Sequence, residues 1–187
     1  MTITELLLPT YRQMLQALAS WLRKARETID DADSLMSARL APDMFPLSTQ
    51  VRFACLQAYE GFYRVRHEPF PPALDELLNE GRDGANRPGT IADALARIDE
   101  ALAFLDGAEA DAMDAGAQRP LALELPMGIA FDLADGERYA RDWALPQFYF
   151  HIMTAYAILR NRGVELGKAD YVAHMFAFLR PGTGAAS

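Results

Sequence analysis

The chain has 187 residues, 51% hydrophobic and 24% charged, the composition of a globular protein large enough to bury a core without a metal or a disulfide. Its net charge of −8, with 18 basic residues scattered along the chain, argues against a nucleic-acid partner, whose polyanion needs clustered Lys and Arg. No apolar run is long enough to span a membrane, Leu6-Leu7-Leu8 is too short for a secretory signal, and the single Cys55 sits among apolar neighbours, so the chain reads as cytoplasmic.

Thr2-Ile3-Thr4-Glu5 has the Ser/Thr-x-x-Glu spacing of a helix start, and Leu15, Leu18, Leu22 and Ala25 continue a helical stripe to about Thr28. Pro9 predicts either a short turn ahead of it or a main helix that begins there. A second helix is predicted from an Asp43 cap, with Pro46 in its first turn, to about Arg66, its inner face Leu47, Val51, Ala54, Ala58 and Phe62. His67 to Gly89 reads as a surface excursion with one short helical turn around Ala73 to Leu78. A third helix starts near Thr90 and carries Ile91, Leu95, Ile98, Leu102 and Leu105 as a bundle seam.

Beyond an acidic, Ala-rich loop the period changes to two. Leu121, Leu123, Leu125 and then Ile129, Phe131, Leu133 alternate with smaller or polar residues about Pro126-Met127-Gly128, predicting a β-hairpin whose apolar face needs cover from the helices or a second subunit. The fourth long helix is placed at Gly136 to Arg162, stopped by Gly163 and broken by Pro146 between Trp143 and Gln147. Its core stripe is Leu145, Phe148, Ile152, Ala155 and Leu159; Phe150 lies nearly opposite Phe148 and suggests an interface. A short helix over Lys168 to Leu179 closes a single domain of residues 1–179, and 180–187 reads as a flexible tail.

There is no phosphate-binding glycine loop and no nucleophile elbow. The site candidates are polar residues beside apolar stripes: Arg39, Asp43 and Gln50 ahead of and within the second helix, and Gln147, His151 and Tyr156 on the fourth. His151 flanks the core face, where it serves either as a structural hydrogen-bonding residue or as a ligand-binding or acid–base group. Of the histidines, His67, His151 and His174, no two stand at i, i+4, so no cofactor is predicted; a divalent metal assembled through folding, with His151 as its weak candidate ligand, is the alternative. Asp170 and His174 read as a solvated i, i+4 pair.

Three segments carry a family resemblance. They are Ala38-Arg39-Leu40-Ala41-Pro42-Asp43-Met44-Phe45-Pro46-Leu47 with Gln50-Val51; Ala144-Leu145-Pro146-Gln147-Phe148-Tyr149-Phe150-His151 with Thr154 to Arg160; and Gly163-Val164 with Leu166-Gly167-Lys168 and Asp170-Tyr171. In these the chain resembles the bacterial proteins catalogued as domain of unknown function number nineteen ninety-three, which are similar to the DinB/YfiT-like four-helix bundles. The resemblance implies a mainly α four-helix bundle with a small hairpin before the last core helix, and often a homodimer. Many relatives in the wider group hold a divalent metal with three histidines, some as thiol-dependent transferases. This chain departs from that pattern: His151 stands alone on the last core helix and the second supplies no histidine. The leading expectation is a small-molecule ligand in a pocket where the Arg39 to Gln50 segment meets the Gln147 to Tyr156 helix. The alternatives are a metal-assisted or thiol-dependent transferase and a structural homodimer.

Overall fold

A computed structural model describes residues 1–125 and 128–182. Helix α1 (Ile3–Thr28) begins with the capping box: Thr2 Oγ1 accepts from the Glu5 amide at 3.2 Å and the Glu5 carboxylate accepts from the Thr2 amide at 2.8 Å. The helix then runs unbroken through Pro9, so neither a separate turn nor a start at Pro9 is found. Pro9 lies on the exposed side, where water can serve the Glu5 carbonyl that loses its partner.

After a 3₁₀ helix at Ala32–Ser37, helix α2 covers Leu47–Arg66, and Pro46, not Asp43, precedes its first turn. The residue before a proline is held out of the helical region, so Phe45 blocks a helix from running through Pro46 from Asp43. Asp43 is exposed in a turn and caps no amide, while the Leu47 amide is tied to the Ala38 carbonyl at 2.8 Å.

Within the predicted excursion lies an eleven-residue helix, α3 (Pro72–Arg82), longer than the single turn expected. Pro72 opens it, and Leu74, Leu77 and Gly81 are buried. Its C-terminal end is fixed by two buried hydroxyls of α2: Thr49 Oγ1 donates to the Gly81 carbonyl at 2.8 Å and Ser48 Oγ to the Gly84 carbonyl at 2.9 Å. Carbonyls at a helix end lack intrahelical partners, so these bonds both satisfy α3 and clamp it to α2. Helix α4 (Ile91–Asp106) starts at a second capping box, Thr90 with Asp93.

Strands β1 (Leu121–Leu125) and β2 (Ile129–Leu133) pair antiparallel with Leu121 opposite Leu133, Leu123 opposite Phe131 and Leu125 opposite Ile129. The expected turn residues Pro126 and Met127, like those beyond Gly182, lie outside the described residues. Leu121 and Leu123 are buried on the helices, whereas Ile129 and Phe131 of the outer strand stay exposed. A short helix α5 (Gly136–Tyr139) passes into a π-helical turn, Ala140–Ala144, and then into α6 (Leu145–Asn161) with Pro146 in its first turn. The interruption expected at Pro146 thus takes the form of a widened turn, closed by the Leu145 amide on the Ala140 carbonyl. Gly163, at φ 89°, turns the chain after α6 in the left-handed region open to glycine. The predicted last helix is two short pieces, α7 (Lys168–Tyr171) and a 3₁₀ helix at Ala173–Phe178.

Helices α1, α2, α4 and α6 form the bundle: α2 packs on α6, α3 and α4, and α1 on α4 and α6. Cys55 is buried among them, and burial pushes its thiol up to about 12, which keeps it protonated and inert at neutral pH. No helix among the described residues is long and apolar enough to cross a membrane.

Candidate functional site

Helix α2 has two working faces. Leu47, Val51, Ala54, Ala58 and Phe62 fill the core, as their spacing predicts. Phe53, Gln57, Glu60 and Arg64 recur at i, i+4, i+7 and i+11, a second stripe on one side of the same helix. That stripe floors a cleft of about 370 Å³ whose walls are Phe70, the α3 side chains Leu74, Asp75, Leu78 and Arg82, the β1 residues Leu123, Glu124 and Leu125, and Trp143 and His151. The hydroxyl clamp at Ser48 and Thr49 sets α3 as one wall, and the π turn carries Trp143, half-buried, to another.

His151 and Gln50, both predicted site residues, meet across α2 and α6. The Phe45 carbonyl can only accept, so the Gln50 amide turns its nitrogen to Phe45 at 3.2 Å and its oxygen to His151 Nδ1 at 2.9 Å. This fixes the tautomer: Nδ1 carries the proton and donates to Gln50, and Nε2 keeps an acceptor lone pair that no described residue claims. Burial lowers the His151 pKa from 6.5 to about 4, so the ring is neutral at neutral pH. The ring meets the edges or faces of Phe53 and Phe150, each 5.4 Å away between centroids. A neutral imidazole oriented through Nδ1 and open at Nε2 can accept a hydrogen bond from a ligand or take a proton from it.

The other predicted residues lie elsewhere. Arg39 is half-buried and donates to the Pro42 carbonyl at 3.4 Å instead of pairing with the exposed Asp43. Gln147 is half-buried in the first turn of α6 and does not line the cleft. Tyr156, five residues beyond His151, has turned about 140° around α6 and packs on Trp21, 5.4 Å away between centroids. What the sequence reading missed is Gln57, Glu60, Arg64 and Trp143. Gln57 Nε2 donates to Glu60 at 3.2 Å, and burial raises the Glu60 carboxyl above its ordinary 4.5, with Arg64 and the Gln57 bond opposing that rise. The spacing of the stripe was visible, but a polar stripe on a helix ordinarily faces water, and only the docking of α3 and β1 closes it.

The donor set does not fit a metal. Among the described residues no group of three or more His, Cys, Asp or Glu side chains converges, and His67 and His174 stand apart from His151, at the end of α2 and in the final 3₁₀ helix.

Comparison with known proteins agrees with this architecture. No curated protein matches the chain at a significant level. A solved structure, a DinB family member protein from Shewanella denitrificans, superposes with a TM-score of 0.71 at 30% sequence identity, over 90% of each chain. Residues 3–172 match the family described as a domain of unknown function, DUF1993. A match that runs from the first turn of α1 to the end of α7, on a bundle of the DinB type, makes this chain a member of the DUF1993 family.

Proposed function

We propose that this protein binds a small amphipathic molecule in the cleft between α2, α3 and the hairpin, with His151 as a polar anchor. The observation that carries this reading is the His151–Gln50 pair, which leaves a neutral acceptor at the end of a cleft walled mainly by Phe, Leu and Trp side chains. Ligand sites in bundles have this make-up, an apolar cavity of roughly 300–1,000 Å³ with a few placed polar groups. Trp143 lines the cleft and Trp21 is sealed on α1, so tryptophan emission reports occupancy. Compact aromatic amines and alcohols are expected to shift that emission and raise Tm in the wild type, and His151→Ala to weaken binding by roughly tenfold, the loss of about one hydrogen bond. If no such compound moves either signal, the reading fails.

Association of two copies is a second reading, supported by Phe150 at 57% exposure and Met153 at 44% one turn on, a shared apolar surface on α6 that the hairpin leaves open. A dimer in solution that becomes a monomer with Phe150→Asp is the expected result; a monomeric wild type, or a dimer unmoved by the substitution, ends this reading.

A further inference from the structure

Deep in the cleft the hydrogen-bond accounting does not close. Gln57 spends its nitrogen on Glu60, and its oxygen is buried without a partner among the described residues. Outside the lining, the hydroxyls of the fully buried Tyr11 and Tyr139 are likewise without partners among the described residues, and both rings lie close enough to Glu60 to feel its charge. Gly61, beside Glu60 on α2, lets Tyr11 in: a Cβ there would stand 2.2 Å from the Tyr11 hydroxyl. Arg64, one turn on, is the neighbouring cation, but its guanidinium lies over the Phe70 ring, 4.8 Å from its centroid. Buried polar atoms in native proteins are nearly always paired, so an unpaired Gln57 oxygen beside the Glu60 carboxylate in the lining of a cleft marks a place built to receive something polar.

The charge and the lone pairs say what. The cleft holds three carboxylates, Glu60, Asp75 and Glu124, against two guanidiniums, Arg64 and Arg82, so an anionic head group is disfavoured. The Glu60 carboxylate, the Gln57 oxygen and His151 Nε2 accept, three acceptors against one unpaired donor of the lining, Arg64 Nε, which is also buried without a partner among the described residues. A hydroxyl brings one donor to this set; an ammonium brings three and a compensating charge. Resting on the cleft reading above, we infer that the ligand carries a primary ammonium group on an apolar body, the ammonium seated against Glu60 and Gln57 and the body against Leu74, Leu78 and Trp143.

The test uses three probes with one apolar body, naphthylmethylamine, naphthylmethanol and naphthoate, titrated calorimetrically into the full chain at neutral pH. The amine is expected to bind about tenfold tighter than the alcohol, since a hydrogen bond to a charged partner is roughly twice as strong as a neutral one, and naphthoate most weakly. Glu60→Gln keeps the shape and removes the charge; it should bring the amine to within about twofold of the alcohol while alcohol binding persists, which also shows that the variant is folded. Equal binding of amine and alcohol to the wild type, or an amine preference that survives Glu60→Gln, overturns the ammonium assignment and leaves the cleft as a binding site. Failure of all three probes to bind the wild type overturns both readings.

Discussion

Two aromatic clusters flank α6, and they differ in how their polar atoms are spent. At one, Trp21 stacks on Tyr171 at 5.7 Å and 18°, and Tyr156 meets both rings edge-on. There Trp21 Nε1 donates to the Asp170 carbonyl at 3.1 Å, Lys24 Nζ and the Gly167 amide reach the Asp170 carboxylate at 3.3 and 2.7 Å, and Tyr156 donates to the Leu166 carbonyl at 3.5 Å. The Gly167 bond, then Lys24, holds the Asp170 carboxyl below its ordinary range. At the other cluster, Phe53, His151 and Trp143 line the cleft with Gln57, Glu60 and Arg64, where the Gln57 oxygen and Arg64 Nε are buried without partners among the described residues. Aromatic and polar residues side by side do not by themselves distinguish a site from a clasp. Whether the hydrogen bonds close does: the first cluster ties α7 to α1 through paired atoms, and the second leaves buried polar atoms unpaired among the described residues, which is what the proposed ligand site rests on.

The largest expected effect tests the clasp. Trp21→Ala removes a fully buried ring together with the bond that anchors Asp170, and should cost about 3–5 kcal/mol of stability in chemical denaturation. At temperatures where the variant is folded, the naphthylmethylamine affinity should be unchanged. A loss of affinity in parallel with stability breaks the comparison, because the two clusters would then act as one unit.

Next in size is a pH effect confined to the second cluster. The His151 pKa is about 4 in the folded chain against 6.5 when exposed. Between those values the unfolded chain takes up a proton that the native chain refuses, so stability is full above about pH 6.5 and falls as pH drops toward 4. The loss over that window is on the order of 3 kcal/mol. Carboxylates titrate there too, so the measurement is the difference between wild type and His151→Gln: their stabilities should converge or cross as pH falls. Parallel curves would mean that the ring is not buried as a neutral partner of Gln50.

Much of this was legible in the sequence, for reasons that differ by element. The seams of α1, α4 and α6 follow from apolar spacing, and the hairpin from a change of period, because burial of one face dictates each pattern. Gln50 and His151 stood out as polar residues flanking such seams, and the fold joins them. The start of α2 was misjudged because the Asp43 cap weighed more than the restriction that Pro46 places on Phe45. Helix α3 was shortened because its Pro and charge content reads as loop, although Leu74, Leu77 and Leu78 have helical spacing. The Gln57, Glu60 and Arg64 stripe could not be read as a site, since its cover comes from α3 and β1, and nothing local to α2 encodes their docking.

The smallest effect probes the unpaired hydroxyl itself. Tyr11→Phe removes a buried group that makes no hydrogen bond with the described residues, so stability should change by no more than about 1 kcal/mol and can rise, because nothing is left unpaired in exchange. Gly61→Ala forces a methyl to 2.2 Å from that hydroxyl; overpacking of this kind costs about 1–3 kcal/mol, partly offset by the ~1 kcal/mol that alanine gains over glycine within a helix. The two substitutions share one contact and should not add. With the hydroxyl gone the next ring atom stands 3.0 Å from the new Cβ, so the double variant should recover much, though not all, of what Gly61→Ala alone loses. Strict additivity in a double-mutant cycle would place the Tyr11 hydroxyl away from Gly61, and so away from the stretch of α2 that carries Glu60.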